Sequence, residues 1–179
     1  VGSEMCIRDR AGRVAGEIAS CFLSRGDAFL VIYADPKYTA HKARVDGFLE
    51  RLAERGIPEE NGVIAATHRD YRKTAETVES ALAAHPNLRM VYMANPSVPA
   101  CAEVLRSRGL AEKVHILSHD CGPEIQELLK SGEVDFTIGQ DLAYQPYQAL
   151  SVLFEALMGQ RPDRDTYVTA CPILNSESI

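Results

Sequence analysis

The chain has 179 residues, of which 46% are hydrophobic, so it can bury a core and intrinsic disorder is not expected. Its 19 basic and 25 acidic residues give a net charge of −6, which excludes the basic surface that binds a nucleic-acid backbone. Five cysteines without a C-x-x-C pair argue against a disulfide framework and a thiolate metal site, and no apolar run is long enough for a membrane span.

The first ten residues, VGSEMCIRDR, show no clear amphipathic period. They resemble translated primer sequence, and we interpret residues 1–10 as a non-native leader. The protein would then continue upstream of Ala11, and the chain would be an N-terminally truncated fragment.

Helix and strand patterns alternate from Ala11 onward. Apolar residues at helical spacing predict a first helix from Ala11 to Ser24, before Gly26. A solid apolar run at 29–33 is typical of a strand buried on both faces. Asp35-Pro36 then supplies an N-cap and a first-turn proline for a helix whose apolar face reaches Leu52.

The same strand-helix unit recurs along the chain. Further strands are predicted at 62–66, 90–93, 114–117 and 134–138, with a short last strand at 167–169. Helices are predicted after Asp70, from Pro96-Ser97, from Pro123 and from Leu142 to Met158. In the last helix we expect four side chains to face inward: Tyr147, Leu150, Phe154 and Leu157. The predicted fold is α/β, an open parallel sheet with helices on both faces.

In such a sheet, ligands bind at the carboxyl ends of the strands. The polar and aromatic residues that follow the predicted strands are Asp35, His68, Tyr71, Asn95, His119, Asp120 and Gln140. Amides and carboxylates with an aromatic ring suit a hydroxyl-rich, uncharged ligand. The chain lacks a phosphate-binding G-x-x-x-x-G-K-[ST] loop, and we predict no cofactor, no metal ligands and no catalytic residues.

Several motifs resemble a known family. Arg44-Val-Asp-Gly47-Phe48 is similar to the R-x-x-G-F motif of type 1 periplasmic-binding-protein folds. His119-Asp120 and the run PEIQELLKSGEVDFTIGQ follow in the family's order. These folds include ribose-type sugar-binding proteins and the effector domains of LacI-type transcription regulators, and we judge the regulators to be closer.

The resemblance implies a ligand site. Its residues would be Arg44, Tyr71, Asn95, Asp120 and Gln140. The arginine would bind ring or anomeric hydroxyls, the aspartate and asparagine further hydroxyls, and the aromatic ring would pack on the sugar. The family's N-D after the third strand is Asn95-Pro96 here, which predicts a ligand chemistry different from ribose.

The resemblance also implies two lobes. Residues 11–27 would be the last helix of the first lobe, and 28–139 a complete second lobe. Residues 140–179 would return to the first lobe as a helix and final crossover. Most of the first lobe's sheet, and a regulator's helix-turn-helix, would lie upstream.

Each candidate residue also has a plainer explanation. Asp35 completes a helix-cap signature, and Arg44 could be a solvated helix arginine. Asn95 with Pro96-Ser97 could be turn and cap chemistry, and Tyr71 could be core. His119 beside Asp120 lacks the further ligands of a metal site, so a hydrogen-bonded histidine is the plainer reading.

Three function classes follow, in this order. The first is the sugar- or polyol-binding domain of a LacI-type regulator, cytoplasmic because scattered cysteines suit a reducing compartment. Such a regulator would be a homodimer at full length and would bind DNA only through the missing N-terminal domain. The alternative is the solute-binding component of a sugar ABC transporter. The third is an α/β enzyme using His119, Asp120 or Cys121, which lacks a base, nucleophile and orienting group at convincing spacing.

Overall fold

A single six-stranded sheet organises the chain. The computed structural model describes residues 3–141, 144–160 and 170–179. Its strands are β1 (Ala28–Tyr33), β2 (Gly62–Ala66), β3 (Leu88–Met93), β4 (His115–His119), β5 (Phe136–Ile138) and β6 (Ile173–Leu174). They lie in the order β2-β1-β3-β4-β5-β6, with β1 to β5 parallel and β6 antiparallel to β5. The predicted α/β fold with an open, mostly parallel sheet is confirmed.

Helices cover both faces of this sheet. They are α1 (Ser3–Ser20), α2 (Thr39–Glu54), α3 (Tyr71–Ala84), α4 (Val98–Ser107), α5 (Pro123–Lys130) and α6 (Tyr144–Leu157). Buried side chains of α1 and α2 form one core with the sheet, and those of α3, α4 and α5 form the other. Short 3₁₀ turns lie at Glu59–Asn61 and Ser176–Ser178.

The strand β1 explains why the sequence shows solid apolar runs and no alternation. Phe29 and Val31 belong to the core under α1 and α2, whereas Leu30 and Ile32 belong to the core under α3 and α4. Since successive strand side chains point to opposite faces, a strand covered on both sides needs an apolar residue at every position.

The first helix differs from the prediction in extent. It begins at Ser3, although we expected Ala11, and ends at Ser20. Its small residues Ala11, Ala15 and Ala19 are buried in the core that α2 and the sheet also form. The apolar face of this helix is thus covered by α2 and the sheet. The assignment of residues 11–27 to a first lobe stays a prediction, as does the rest of the division into lobes.

The last helix is exposed where we expected it to be buried. Tyr147, Leu150, Phe154 and Leu157 were expected to face inward, yet each is at least 64% exposed. None of the α6 side chains is buried among the residues that the structure describes. The strand predicted at 167–169 lies outside the described residues.

Candidate functional site

The carboxyl ends of the parallel strands meet at one edge of the sheet, which we call the rim. Asp35 follows β1, Asn95 follows β3, Asp120 follows β4 and Gln140 follows β5. Arg44, in the second turn of α2, reaches this edge from the helix layer. The rim is where ligands bind in open α/β sheets.

Arg44 is the buried cation of the rim. The residue is only 7% exposed, and one guanidinium nitrogen lies 4.0 Å from the nearer carboxylate oxygen of Asp120. Its Nε finds no hydrogen-bond partner among the described residues. The alternative of a solvated helix arginine is therefore wrong, and a buried donor is left available.

Asp120 and Gln140 form a polar pair beside this arginine. The amide of Gln140 donates to the Asp120 carboxylate at 2.5 Å, while the Asp120 side chain stays 56% exposed. Asp120 has a φ of +67°, a left-handed conformation that only glycine, asparagine and aspartate adopt readily. Its N–H donates to Ile138 and its carbonyl accepts from the Thr137 hydroxyl, so β5 holds the turn in place. Such strained residues gather at binding sites.

Asn95 is buried at the end of β3 and bridges two strands. Its amide donates to the Thr67 hydroxyl at 3.0 Å, and its carbonyl accepts from the Ser97 N–H at 3.0 Å. The bond from the Ser97 N–H is the turn chemistry that we gave as the plainer explanation of Asn95. One amide hydrogen and one carbonyl lone pair remain, so a structural role leaves capacity for a ligand.

Tyr71 is not brought to the other predicted residues. It is the first residue of α3 and 48% exposed, and its hydroxyl donates to the Glu103 carboxylate of α4 at 2.5 Å. That bond raises the pKa of Tyr71. The core alternative is wrong, because Tyr71 is half exposed at the start of α3 and turned toward α4. The ligand-stacking role of Tyr71 stays a prediction.

His119 proves more interior than its sequence context suggested. It is 4% exposed, and its Nε2 lies 2.5 Å from the hydroxyl of the fully buried Tyr92. Burial, followed by the nearby charges of Arg44 and His41, lowers the pKa of His119 well below its ordinary value, so the ring is neutral. Burial raises the pKa of Tyr92, which therefore stays protonated and donates to Nε2. The Nδ1 of His119 then carries a hydrogen without an acceptor among the described residues.

His41 was not singled out from the sequence, although it lies close to Arg44. Its Nδ1 accepts the N–H of Ala34 at the end of β1, at 3.2 Å. Burial is the main cause that lowers its pKa, with Arg44 and Arg69 contributing. The burial of His119 could have been predicted from strand alternation, since Leu117 and His119 share one face of β4. The burial of His41 could have been predicted from its place on the apolar stripe of α2.

The enzyme alternative gains no support from this arrangement. His119 is directed into the core under α2, whereas Cys121 packs against the core on the opposite face. Within the described residues, no group of three or more histidine, cysteine or acidic side chains could hold a metal ion. In the same part of the chain, no helix has both the length and the apolar character to cross a membrane.

Comparison with known proteins identifies related folds. The profile of the periplasmic binding protein domain matches residues 8–161, whereas no curated protein matches significantly. A sugar-binding protein of a sugar ABC transporter from Bacillus halodurans is 22% identical with a TM-score of 0.84, and 95% of this chain covers 62% of it. A solute-binding protein from Burkholderia graminis in complex with D-arabinose is also 22% identical, with a TM-score of 0.82 and coverages of 95% and 60%.

A third structure is GanP, a glucose-galactose binding protein from Geobacillus stearothermophilus, at 19% identity and a TM-score of 0.81. Here 96% of this chain covers 61% of GanP. The chain thus spans less than two thirds of the structures it matches.

These comparisons correct two predictions. The regulator was ranked first and the transporter component second, but the matched structures are solute-binding proteins and no closeness to LacI-type regulators is found. The cytoplasmic location is wrong for the same reason, since the matched family is that of periplasmic proteins. The cysteine argument failed because unpaired thiols that are buried, such as Cys101, are chemically inert in any compartment. A binding-protein family agrees with the prediction that the chain is not an enzyme.

Proposed function

Because the chain belongs to the periplasmic binding protein domain family, we propose that it is the solute-binding component of a sugar transporter and binds a sugar or polyol at the rim. The main observation that supports this proposal is the buried Arg44 guanidinium, which has an unpaired Nε and faces the Asp120–Gln140 pair. Related solute-binding proteins, one in complex with D-arabinose, support the choice of ligand class.

The chemistry of the rim favours hydroxyl groups. Arg44 offers donors only, Asp120 accepts only, and Gln140 and Asn95 do both. A hydroxyl can donate to the carboxylate while it accepts from the guanidinium, so a polyol satisfies both neighbours at once. Ligand binding would also remove the cost of leaving a buried donor unpaired.

The N–H of His119 is a further candidate contact. The buried ring is neutral, and the charge of Arg44 contributes to its lowered pKa, so its unpaired Nδ1–H would add a donor and no charge. A neutral donor suits an uncharged hydroxyl or ring oxygen.

The exposed face of α6 fits the proposed division into lobes. Residues 28–139 would form one lobe, and 140–179 would return to the other lobe. The apolar side chains of α6 would pack in that other lobe and lose their exposure to water. A homodimer of the full-length protein stays a prediction.

The test is an NMR titration of the ¹⁵N-labelled chain with D-arabinose, D-allose and D-glucose, a method that detects millimolar binding. We expect at least one sugar to shift the amide signals of Arg44, Asn95, Asp120 and Gln140. Arg44→Ala should abolish the shifts. Lys42→Ala, on the exposed side of the same helix, should preserve them, as should Tyr71→Phe. Absence of shifts with all three sugars, or unchanged binding by Arg44→Ala, would contradict the proposal.

A further inference from the structure

The helices α1 and α2 touch backbone to backbone beside Arg44. A Cβ atom added to Gly12 would lie 2.1 Å from the carbonyl oxygen of Arg44 and 2.9 Å from its Cα. Cβ atoms in real proteins essentially never lie within 3.0 Å of such a neighbouring atom. Any residue other than glycine at this position must therefore push α2 away at Arg44.

One turn further from the rim, a second glycine makes a similar contact. A Cβ on Gly16 would lie 2.7 Å from the carbonyl oxygen of Phe48 and 2.8 Å from the Cβ of Arg51. Gly12 of α1 lies against Arg44 of α2, and Gly16 lies against Phe48. Residue numbers therefore rise in the same direction along both helices, which run parallel to each other away from the rim.

A third glycine, Gly47 of α2, also lies against α1, where a Cβ would be 2.5 Å from the carbonyl oxygen of Asp9. Glycines on both helices thus set their spacing, and Gly12 is the one that lies against the backbone of the rim residue Arg44.

Arg44 depends on this spacing because little else orients its side chain. Its Nε has no partner among the described residues, and the 4.0 Å separation from Asp120 is longer than a hydrogen bond. The direction of the guanidinium therefore follows from where α2 holds the Arg44 backbone and from side-chain packing.

We propose that Gly12 is a positioning residue: by letting the backbone of α2 lie against α1 at Arg44, it sets the reach of the Arg44 guanidinium toward Asp120. The role of Arg44 in binding a sugar rests on the proposed function, whereas the placement of its guanidinium does not.

The test compares Gly12→Ala with Gly16→Ala, which removes the glycine one turn away. The readout is the side-chain Nε–H signal of Arg44 in ¹⁵N NMR spectra, assigned by its disappearance in Arg44→Lys. Spectra are recorded with trimethylamine N-oxide, which favours the folded state. We expect both variants to fold, the Arg44 signal to move or broaden in Gly12→Ala, and the signal to stay at its wild-type position in Gly16→Ala.

Two results would overturn the inference. One is an Arg44 signal that is the same in both variants. The other is a Gly12→Ala chain that does not fold although Gly16→Ala does, since Gly12 would then serve the fold and not the arginine.

A second arm separates this inference from the proposed function. For a sugar that binds the wild type, Gly12→Ala should weaken binding on the order of tenfold, as expected for a lost hydrogen bond to a charged group, and Gly16→Ala should not. If the wild type binds none of the sugars but its Arg44 signal responds to Gly12→Ala, the sugar site fails and the positioning role stands.

Discussion

Asp120 combines a strained backbone with an exposed carboxylate. Its φ of +67° is tolerated by aspartate and asparagine but costs other residues with a Cβ roughly 1 kcal/mol. A fold that needed only a turn at this position would favour glycine. In the proposed function, this carboxylate, which Gln140 holds next to Arg44, is the acceptor for ligand hydroxyls.

We predict that two substitutions of Asp120 distinguish the effect of its backbone conformation on stability from the effect of its charge on sugar binding. Asp120→Asn keeps the tolerated conformation, so the free energy of unfolding should change by only a few tenths of a kcal/mol, whereas Asp120→Ala should lose about 1 kcal/mol. Both variants should weaken sugar binding at least about tenfold, because an acceptor for hydroxyls is weakened or lost. Urea unfolding and NMR titration measure the two effects. Equal sugar affinity of Asp120→Asn and wild type would exclude the carboxylate from the site.

His119 predicts a dependence of stability on pH. Because the folded-state pKa of His119 is lowered, the unfolded chain takes up the proton first as the pH falls. The stability contribution is complete above the ordinary histidine pKa of about 6.5 and declines as the pH drops toward the folded-state pKa. His41, whose pKa is also lowered, acts in the same direction. We therefore expect the free energy of unfolding to fall below about pH 6.5.

The variant that tests this pH dependence is the double substitution His119→Phe with Tyr92→Phe. It removes the titrating ring and also the hydroxyl that would otherwise be left unpaired. Urea unfolding at a series of pH values should give a smaller decline for this variant, and His41 should contribute to what remains. An identical decline in variant and wild type would show that His119 is not the titrating group.

The site residues that sequence could identify are those whose direction is set by secondary structure. Asp120 and Gln140 follow strands, so their arrival at one edge is determined by a parallel sheet. The bond of Tyr71 to Glu103 was not predictable, because the side chain of a first helical residue can turn either way and this bond depends on the packing of α4. The burial of His119 was missed because depth depends on what covers a strand.

The helix α3 illustrates local control of an element. The Asp70 carboxylate accepts the Lys73 N–H at 2.8 Å, and the chain enters this cap through His68 and Arg69, both with positive φ. A side-chain acceptor at this position satisfies one of the free N–H groups of the first turn. The cap was readable from the sequence.

We predict that Asp70→Ala lowers the free energy of unfolding by about 1 kcal/mol, since the N–H of Lys73 loses its acceptor. Asp70→Asn, which keeps a side-chain acceptor, should lie within a few tenths of a kcal/mol of wild type. Urea denaturation of the three proteins measures both differences. Sugar binding should change little in either variant, because Arg44 lies on α2 and Asp120 follows β4. Equal stability of the alanine and asparagine variants would show that the cap contributes nothing.

Periodicity located the elements well and their ends less well. The helices α2 to α5 were predicted because apolar residues recur at helical spacing between capping and glycine signals. The start of α1 was missed because its first two turns lack an apolar stripe. The two-residue strand β6 exists only through its pairing with β5, and no local pattern identifies it.

The part of the chain that the structure describes has two buried cores and a last helix, α6, whose side chains are not buried. Both faces of the sheet are closed by helices, so the fold does not depend on α6. Yet six large apolar side chains near the end of the chain are between 55% and 77% exposed: Tyr147, Leu150, Leu153, Phe154, Leu157 and Met158. Exposed apolar patches of this kind mark interaction surfaces.

We predict that this chain self-associates through α6. Replacing Leu150 and Phe154 by lysine should shift it toward a monomer in sedimentation experiments and reduce its binding of the apolar dye ANS, because the patch loses apolar area and gains charge. The control replaces exposed charged residues elsewhere, Lys42→Glu with Asp46→Lys on α2, which inverts a surface pair without touching α6. The thermal unfolding midpoint of the lysine variant should equal that of wild type, since no α6 side chain belongs to either core. A wild-type chain that stays monomeric at high concentration and binds no ANS would mean that α6 is covered in solution.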